Sequence, residues 1–142
     1  MKAYEIPDDP ISYDSVEEKD VFYLIRAARK GIGYPRFAAL TKSFPFSISD
    51  WSGFLHLSER TIQRYQKEEK SFDPVSSEHI IEITLLYKKG IEVFGNRKKI
   101  DSWLEYQNIA LGGSKPKELL NSTLGLKLIR DELVRIEHGI LA

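Results

Sequence analysis

Six side chains between positions 58 and 67 carry the donors that phosphates and base edges accept: Ser58, Arg60, Thr61, Gln63, Arg64 and Lys67. Hydroxyls suit backbone phosphates, so Ser58 and Thr61 are assigned there. Gln63 and Arg64 can each meet a base edge with two parallel hydrogen bonds, and Arg60 and Lys67 can serve either purpose. To act together these groups must leave one face of a helix whose other face is held down, and Ile62 and Tyr65 supply that packing side. Ser58 is the residue type that caps such a helix. Upstream, Ser47 with Asp50 three positions on predicts a preceding helix, whose apolar face is Trp51, Phe54 and Leu55. Two helices joined by the short turn Leu55-His56-Leu57-Ser58 make a helix-turn-helix. An ordinary surface helix also carries scattered charge, and residue types alone leave that reading open.

The charge distribution bears on the same question. The chain has 142 residues, 21 basic and 21 acidic, for a net charge of zero. Residues 1–20 hold two lysines against seven acids, a net of −5, whereas residues 21–67 hold eight basic side chains against two acidic ones, a net of +6. A basic block of this kind creates a local positive field within a neutral protein, as phosphate contact requires. There is no cysteine, so disulfides, a thiol nucleophile and a thiolate metal site are excluded. His56, His79 and His138 lack ligand spacing, and no metal or other cofactor is expected. Carboxylate pairs such as Glu68-Glu69 and Asp131-Glu132 fall on solvated helix faces, and no Ser/His/acid arrangement follows from spacing. The sequence reads as a non-enzyme. No apolar run reaches the roughly 20 residues that span a bilayer, and the first residues lack a secretory apolar region, so a cytoplasmic location with no membrane partner is expected.

The rest of the chain reads as helices. Residues 1–14 contain Pro7 and Pro10 and predict an extended or disordered arm. Ser15 and Glu18 form a capping-box pattern for a helix running through Phe22, Ile25, Arg26 and Arg29 to Gly31. Pro35 opens a short helix through Phe37, Ala38 and Leu40 that Pro45 terminates. Ser77 to Phe94 is a long helix, so broadly apolar that it must be buried on more than one side, and Gly95 stops it. Asn96 caps a helix through Ile100, Trp103 and Leu104. A short helix over Lys117 to Leu120 and a final one from Thr123 to His138 complete the chain, the latter with a core stripe of Leu126, Ile129, Leu133 and Ile136. No sustained strand alternation or internal repeat occurs, and the chain is expected to be all-α.

The segment Asn108 to Leu120 joins two of these helices with a shaped turn. Gly112 and Gly113 permit positive φ, Pro116 fixes the first turn of the short helix after them, and Leu119 and Leu120 are its buried side. Glycine amides ahead of a helix can cradle an anion. This segment lacks both the Gly-x-x-x-x-Gly-Lys-Ser/Thr pattern and a preceding strand, which disfavours nucleotide binding.

Taken with Trp103-Leu104 upstream, Thr123 and Gly125 downstream and the closing Leu133-Val134-Arg135-Ile136-Glu137-His138-Gly139, this joint resembles the C-terminal domain of the Xre/MbcA/ParS antitoxins. That family carries Trp-Leu, Asn-x-Ala-Leu-Gly-Gly-x-x-Pro, Leu-Leu, then Gly and Leu-x-Arg-Ile-Glu-x-Gly. The resemblance covers the last half of the chain strongly, residues 44–93 moderately and the first forty residues hardly at all. It implies an N-terminal Xre-like helix-turn-helix domain over residues 15–74 and a helical toxin-binding and dimerisation domain over residues 75–142. It further implies that Gly112, Gly113 and Pro116 aim an interface, with Arg135, Glu137, His138 and the tail residues Leu141 and Ala142 as toxin contacts. The expected function is that of a type II antitoxin. It would mask the active site of a cognate RES-domain toxin that acts on NAD, and repress its own operon by binding operator double-stranded DNA as a homodimer. A toxin-neutralising module without DNA binding and a stand-alone helix-turn-helix regulator are the alternatives. The first of them rests on His56, which stands where the family's turn, often Leu-Gly-Val-Ser, has glycine.

Overall fold

A computed structural model describes residues 11–139. These form seven α-helices in the order α1 Val21–Lys30, α2 Tyr34–Leu40, α3 Ile48–Leu55, α4 Glu59–Glu68, α5 Pro74–Phe94, α6 Arg97–Glu105 and α7 Thr123–Glu137, with short three-ten turns at Glu18–Asp20, Ile109–Leu111 and Pro116–Leu119. Among the described residues strand pairing is limited to two isolated bridges, Gly33 with Ser71 and Asn108 with Ser114, so the fold is all-α. The chain divides into two compact units, one ending at Thr84 and the other beginning at Leu85. The division falls inside α5.

In the first unit an aromatic core holds the helices. The Phe37 ring centroid lies 5.1 Å from Trp51 and 4.9 Å from Phe72, and Trp51 lies 5.5 Å from Phe54. Edge-to-face packing of such rings adds roughly 0.5–1.5 kcal/mol per pair beyond area burial. Gly31 ends α1 at φ 89°, and a Cβ there would lie 2.7 Å from the Phe72 carbonyl oxygen. Only glycine admits that approach, and it lets the Phe72 amide donate to the Ile32 carbonyl at 2.8 Å. The buried Ser77 hydroxyl completes the joint, accepting from the Ile32 amide at 2.8 Å and donating to the Phe72 carbonyl at 3.2 Å.

Several helix limits differ from those expected. Of the arm assigned to residues 1–14, residues 11–14 enter a turn: Ile11 is buried and the Ser15 amide donates to the Ser12 carbonyl at 3.1 Å. Residues 1–10 lie outside the described residues. The Ser15 hydroxyl bonds to the Ser12 carbonyl and lies 2.9 Å from the Tyr23 hydroxyl, so this local turn competes with the helix cap and α1 begins only at Val21. Tyr23, Leu24 and Ala28 are the buried face of α1, leaving Phe22 and Ile25 exposed. The second helix stops at Leu40, five residues before Pro45, where Thr41 bonds back to the Phe37 carbonyl. The long helix starts at Pro74 rather than Ser77, because the Asp73 carboxylate accepts the Ser76 amide at 2.7 Å and Pro74 suits a first helical position.

In the second unit, α7 presents Gly125, Leu126, Ile129 and Leu133 to the core, with Ile136 half-buried. Ser122 caps it by accepting the Gly125 amide at 3.0 Å. Gly90 permits close approach of α6, since a Cβ there would fall 2.4 Å from Ile100 Cδ1. The Tyr87 hydroxyl donates to Asp101 at 2.7 Å, and the Lys89 ammonium donates to both Glu137 oxygens, at 2.9 and 2.8 Å. That hydrogen bond to Glu137 raises the Lys89 pKa above the ordinary lysine value. Lys89 therefore brings its full charge to the pair at neutral pH, and that contribution fades as pH climbs past the ordinary lysine value.

Candidate nucleic-acid and partner interfaces

The second helix of the helix-turn-helix is seated by two caps in series. Ser47 and Asp50 form a full capping box on α3, with the Asp50 amide donating to Ser47 Oγ at 3.1 Å and the Ser47 amide donating to Asp50 Oδ2 at 2.9 Å. At its other end His56 takes the left-handed conformation itself, at φ 56° and ψ 36°. The Leu57 amide donates to the Ser52 carbonyl at 3.2 Å, and the Ser52 hydroxyl donates to the Leu57 carbonyl. His56 thus adopts, without glycine, the left-handed conformation that glycine would take most readily. The turn's backbone bonds hold an L-residue in a region that costs about 1–2 kcal/mol. His56→Gly should raise the unfolding free energy by about 0.5–1 kcal/mol and His56→Val lower it by about 1–2 kcal/mol, read by urea titration. Indistinguishable midpoints would mean that residue 56 does not hold this conformation in solution.

Beyond the turn, Ser58 caps α4 by accepting the Thr61 amide at 3.0 Å, and its hydroxyl donates to Thr61 Oγ1 at 2.9 Å. The Ser58 hydrogen is committed to that pair, so Thr61 is the better phosphate donor of the two. Ile62 is fully buried, while Arg60, Gln63, Arg64 and Lys67 are all exposed. Their spacing places Arg60 above Arg64 and Gln63 above Lys67 on the face opposite Ile62. Tyr65 packs on Phe72 at 5.3 Å, and the Arg64 guanidinium carbon lies 5.9 Å from the Tyr65 ring centroid. The other basic residues of the block, Arg26, Arg29, Lys30, Arg36 and Lys42, are exposed too. The structure thus groups four of the six predicted contacts on one exposed strip and puts the remaining two at its N-terminal end.

In the second unit, the glycine joint is closed on itself. Gly112 and Gly113 hold φ 70° and 82°. The Asn108 carboxamide oxygen accepts the Ala110 amide at 2.9 Å, and the Asn108 carbonyl accepts those of Leu111 at 3.0 Å and Gly113 at 2.9 Å. The Gly112 amide donates to Ile109 and the Ser114 amide to Leu111. Every amide from residue 110 to 114 is therefore used inside the joint, leaving none to cradle an anion. Pro116 is buried and starts a three-ten turn ending at Leu119, one residue earlier than expected. It thus supports the joint from beneath and offers no surface itself.

The joint also displays Ile109, which is 95% exposed. On α7, Leu124 and Leu128 stand four residues apart on one face and are 76% and 51% exposed. Sequence reasoning missed these leucines, although their offset from the Leu126, Ile129, Leu133 stripe was the available signal. Of the predicted contacts here, Arg135 is half-buried and bonded to Glu132 at 3.1 Å, and Glu137 is held by Lys89. His138 is the exposed C-cap of α7, its amide donating to the Val134 carbonyl. Leu141 and Ala142 lie outside the described residues.

Two family matches fall on these two surfaces. Residues 24–83 match the antitoxin Xre-like helix-turn-helix domain, and residues 89–139 match the antitoxin Xre/MbcA/ParS C-terminal toxin-binding domain. The chain belongs to the Xre-type antitoxin family. An Antitoxin Xre of Yersinia enterocolitica is 26% identical over 87 residues, which cover 61% of this chain and 59% of that relative. The chain therefore aligns with about three-fifths of that antitoxin's length. The helix-turn-helix match contains the whole α3–α4 pair, and the toxin-binding match contains the joint and α7. No helix among the described residues is long and apolar enough to cross a membrane, and none of their His, Asp and Glu residues form a group that could hold a metal ion.

Proposed function

We propose that this antitoxin-family chain neutralises a cognate toxin through its C-terminal unit and represses its own operon through α4, acting as a homodimer in the cytoplasm. The toxin is a RES-domain enzyme that consumes NAD, and neutralisation is steric, by covering the active site, so the antitoxin needs no catalytic group or cofactor. The observation that supports toxin contact best is the exposure of Ile109, Leu124 and Leu128 within residues 89–139, where the toxin-binding match lies. Large apolar side chains left in water on a small unit favour a partner that covers them. Gly112 and Gly113 fix the position of Ile109, and Arg135, His138, Leu141 and Ala142 are proposed as further toxin contacts.

The test is co-expression with the toxin encoded beside the gene. The unaltered chain restores growth and co-purifies with the toxin, whereas Leu124→Asp with Leu128→Asp should weaken capture by about 100-fold or more and abolish rescue. Circular dichroism should remain unchanged, because both side chains face water. Full rescue by the double variant would remove α7 from the interface. Cellular NAD that does not fall when the toxin is expressed alone would remove the NAD chemistry.

A further inference from the structure

We infer that the outer face of α1 is the surface on which a second copy of this chain docks, the two helices crossing antiparallel about a two-fold axis. This rests on the proposal that the protein works as a homodimer. Phe22 is 71% exposed and Val21 52%, with Ile25 beside them, although Tyr23, Leu24 and Ala28 already supply the helix's packing side. Three adjoining large apolar side chains in water, on a helix with a complete core face of its own, call for an occupant.

The pattern of charge around that apolar centre identifies the occupant. Glu17 and Glu18 lie just before α1, and Arg29 and Lys30 form its last turn. An antiparallel crossing centred between Tyr23 and Leu24 sets Phe22 against Ile25 of the second copy. The same crossing brings Glu17 and Glu18, which precede the helix in the turn before Val21, to the end where Arg29 and Lys30 of the second copy stand, so opposite charges meet at both ends. It also lays the Arg26 stem over Val21 of the second copy, where its methylenes cover apolar surface. Two-fold interfaces require such self-complementarity, in which residue i meets j and j meets i. Glu17 is held within its own chain by an exposed ion pair with Lys19 at 3.2 Å, a weak contact that exchange for Lys30 replaces. A parallel arrangement would set acid on acid and base on base. A partner of unrelated sequence would have no reason to match this spacing.

A helix pair of this length buries less than the ~800 Å² per partner of standard interfaces, so the dimer is expected in the micromolar range. Sedimentation equilibrium of the full chain from about 1 to 200 μM measures it. Phe22→Asp should weaken the dimer by about 30-fold or more, while Glu18→Arg and Arg29→Glu should each weaken it about 5–10-fold. The double variant Glu18→Arg/Arg29→Glu should return to within about 3-fold of the original, because it restores opposite charges at both ends. A melting curve taken on each variant separates lost association from lost fold, and the charge reversal decides the matter if Phe22→Asp is unstable. An unaltered chain that stays monomeric overturns this inference and the homodimer reading together. A dimer that Phe22→Asp leaves intact, or two single reversals not rescued by their combination, overturns the surface alone. Toxin capture by the same variants is measured separately and tests only the neutralisation reading.

Discussion

Gly125→Ala is expected to lower the unfolding free energy by about 3 kcal/mol or more, because the added methyl meets backbone more closely than at any other glycine. The added Cβ would stand 1.9 Å from the Leu119 carbonyl oxygen and 2.8 Å from its carbon, with Ser122 Oγ at 3.0 Å. The obstacle is backbone, and it cannot retreat cheaply: Pro116 and Leu120 on either side are buried, and Ser122 is engaged in capping α7 through the Gly125 amide. Either α7 lifts from the three-ten turn or it loses its cap. Gly112→Ala and Gly113→Ala supply the contrast. Nothing lies within 4 Å of a Cβ at either position, so only the strain of positive φ remains, about 1 kcal/mol each. Urea titration of the three variants should rank Gly125→Ala far below the other two. Equal midpoints would show that the close approach of α7 to Leu119 is not maintained in solution.

The second large effect concerns DNA. Replacing Arg60, Arg64 and Lys67 together by alanine should weaken operator binding by about 100-fold or more near 0.1 M salt and reduce the steepness of the logarithmic salt dependence by about 2 to 3. These side chains line the exposed strip of α4 opposite buried Ile62, so their loss leaves the packing side intact. A control that removes three positive charges from the other unit, Lys98→Ala, Lys99→Ala and Arg130→Ala, should keep most of the affinity, and both proteins should neutralise the toxin. Gel shifts on the DNA upstream of the gene, across a salt series, provide the comparison. Equal losses in the two triple variants would reduce the claim to general electrostatic attraction, and an unchanged shift from the α4 variant would exclude that face.

Local chemistry was legible wherever short-range bonds decide structure. Ser47-Asp50, Ser58, Asn96 and Gly95 mark helix ends with side chains or glycines that act within four residues, and each end lies where those residues place it. Where a competing bond or packing decides, reading failed. Ser15 has the form of a helix cap, but the Tyr23 hydroxyl and the Ser12 carbonyl compete for its side chain. Phe22 and Ile25 follow helical spacing as well as Tyr23 and Leu24 do, and only packing distinguishes the buried pair. Ser77 has the residue type of a surface serine and is fully buried, because two backbone groups of other segments need its hydroxyl. The candidate DNA strip was legible because an exposed helix face follows from periodicity. The apolar trio of the C-terminal unit was missed although the core stripe of α7 was read: Leu124 and Leu128 lie off that stripe, an offset left unused, and Ile109 sits in a turn whose outward face only the folded joint reveals.

The closed hydrogen-bond ring of the joint between Asn108 and Ser114 also bears on how quickly a partner can dock. Ordering a free loop on association costs about 1–2 kcal/mol per residue in backbone entropy, and waiting for the competent conformer slows the encounter. Here five successive amides are already satisfied before any partner arrives. If Ile109 meets the toxin as proposed, it does so from a joint that is already ordered, and docking there is expected to need no folding step. At that surface, capture speed would then be set by diffusion and orientation, and the lifetime of the complex by how well the apolar side chains are covered.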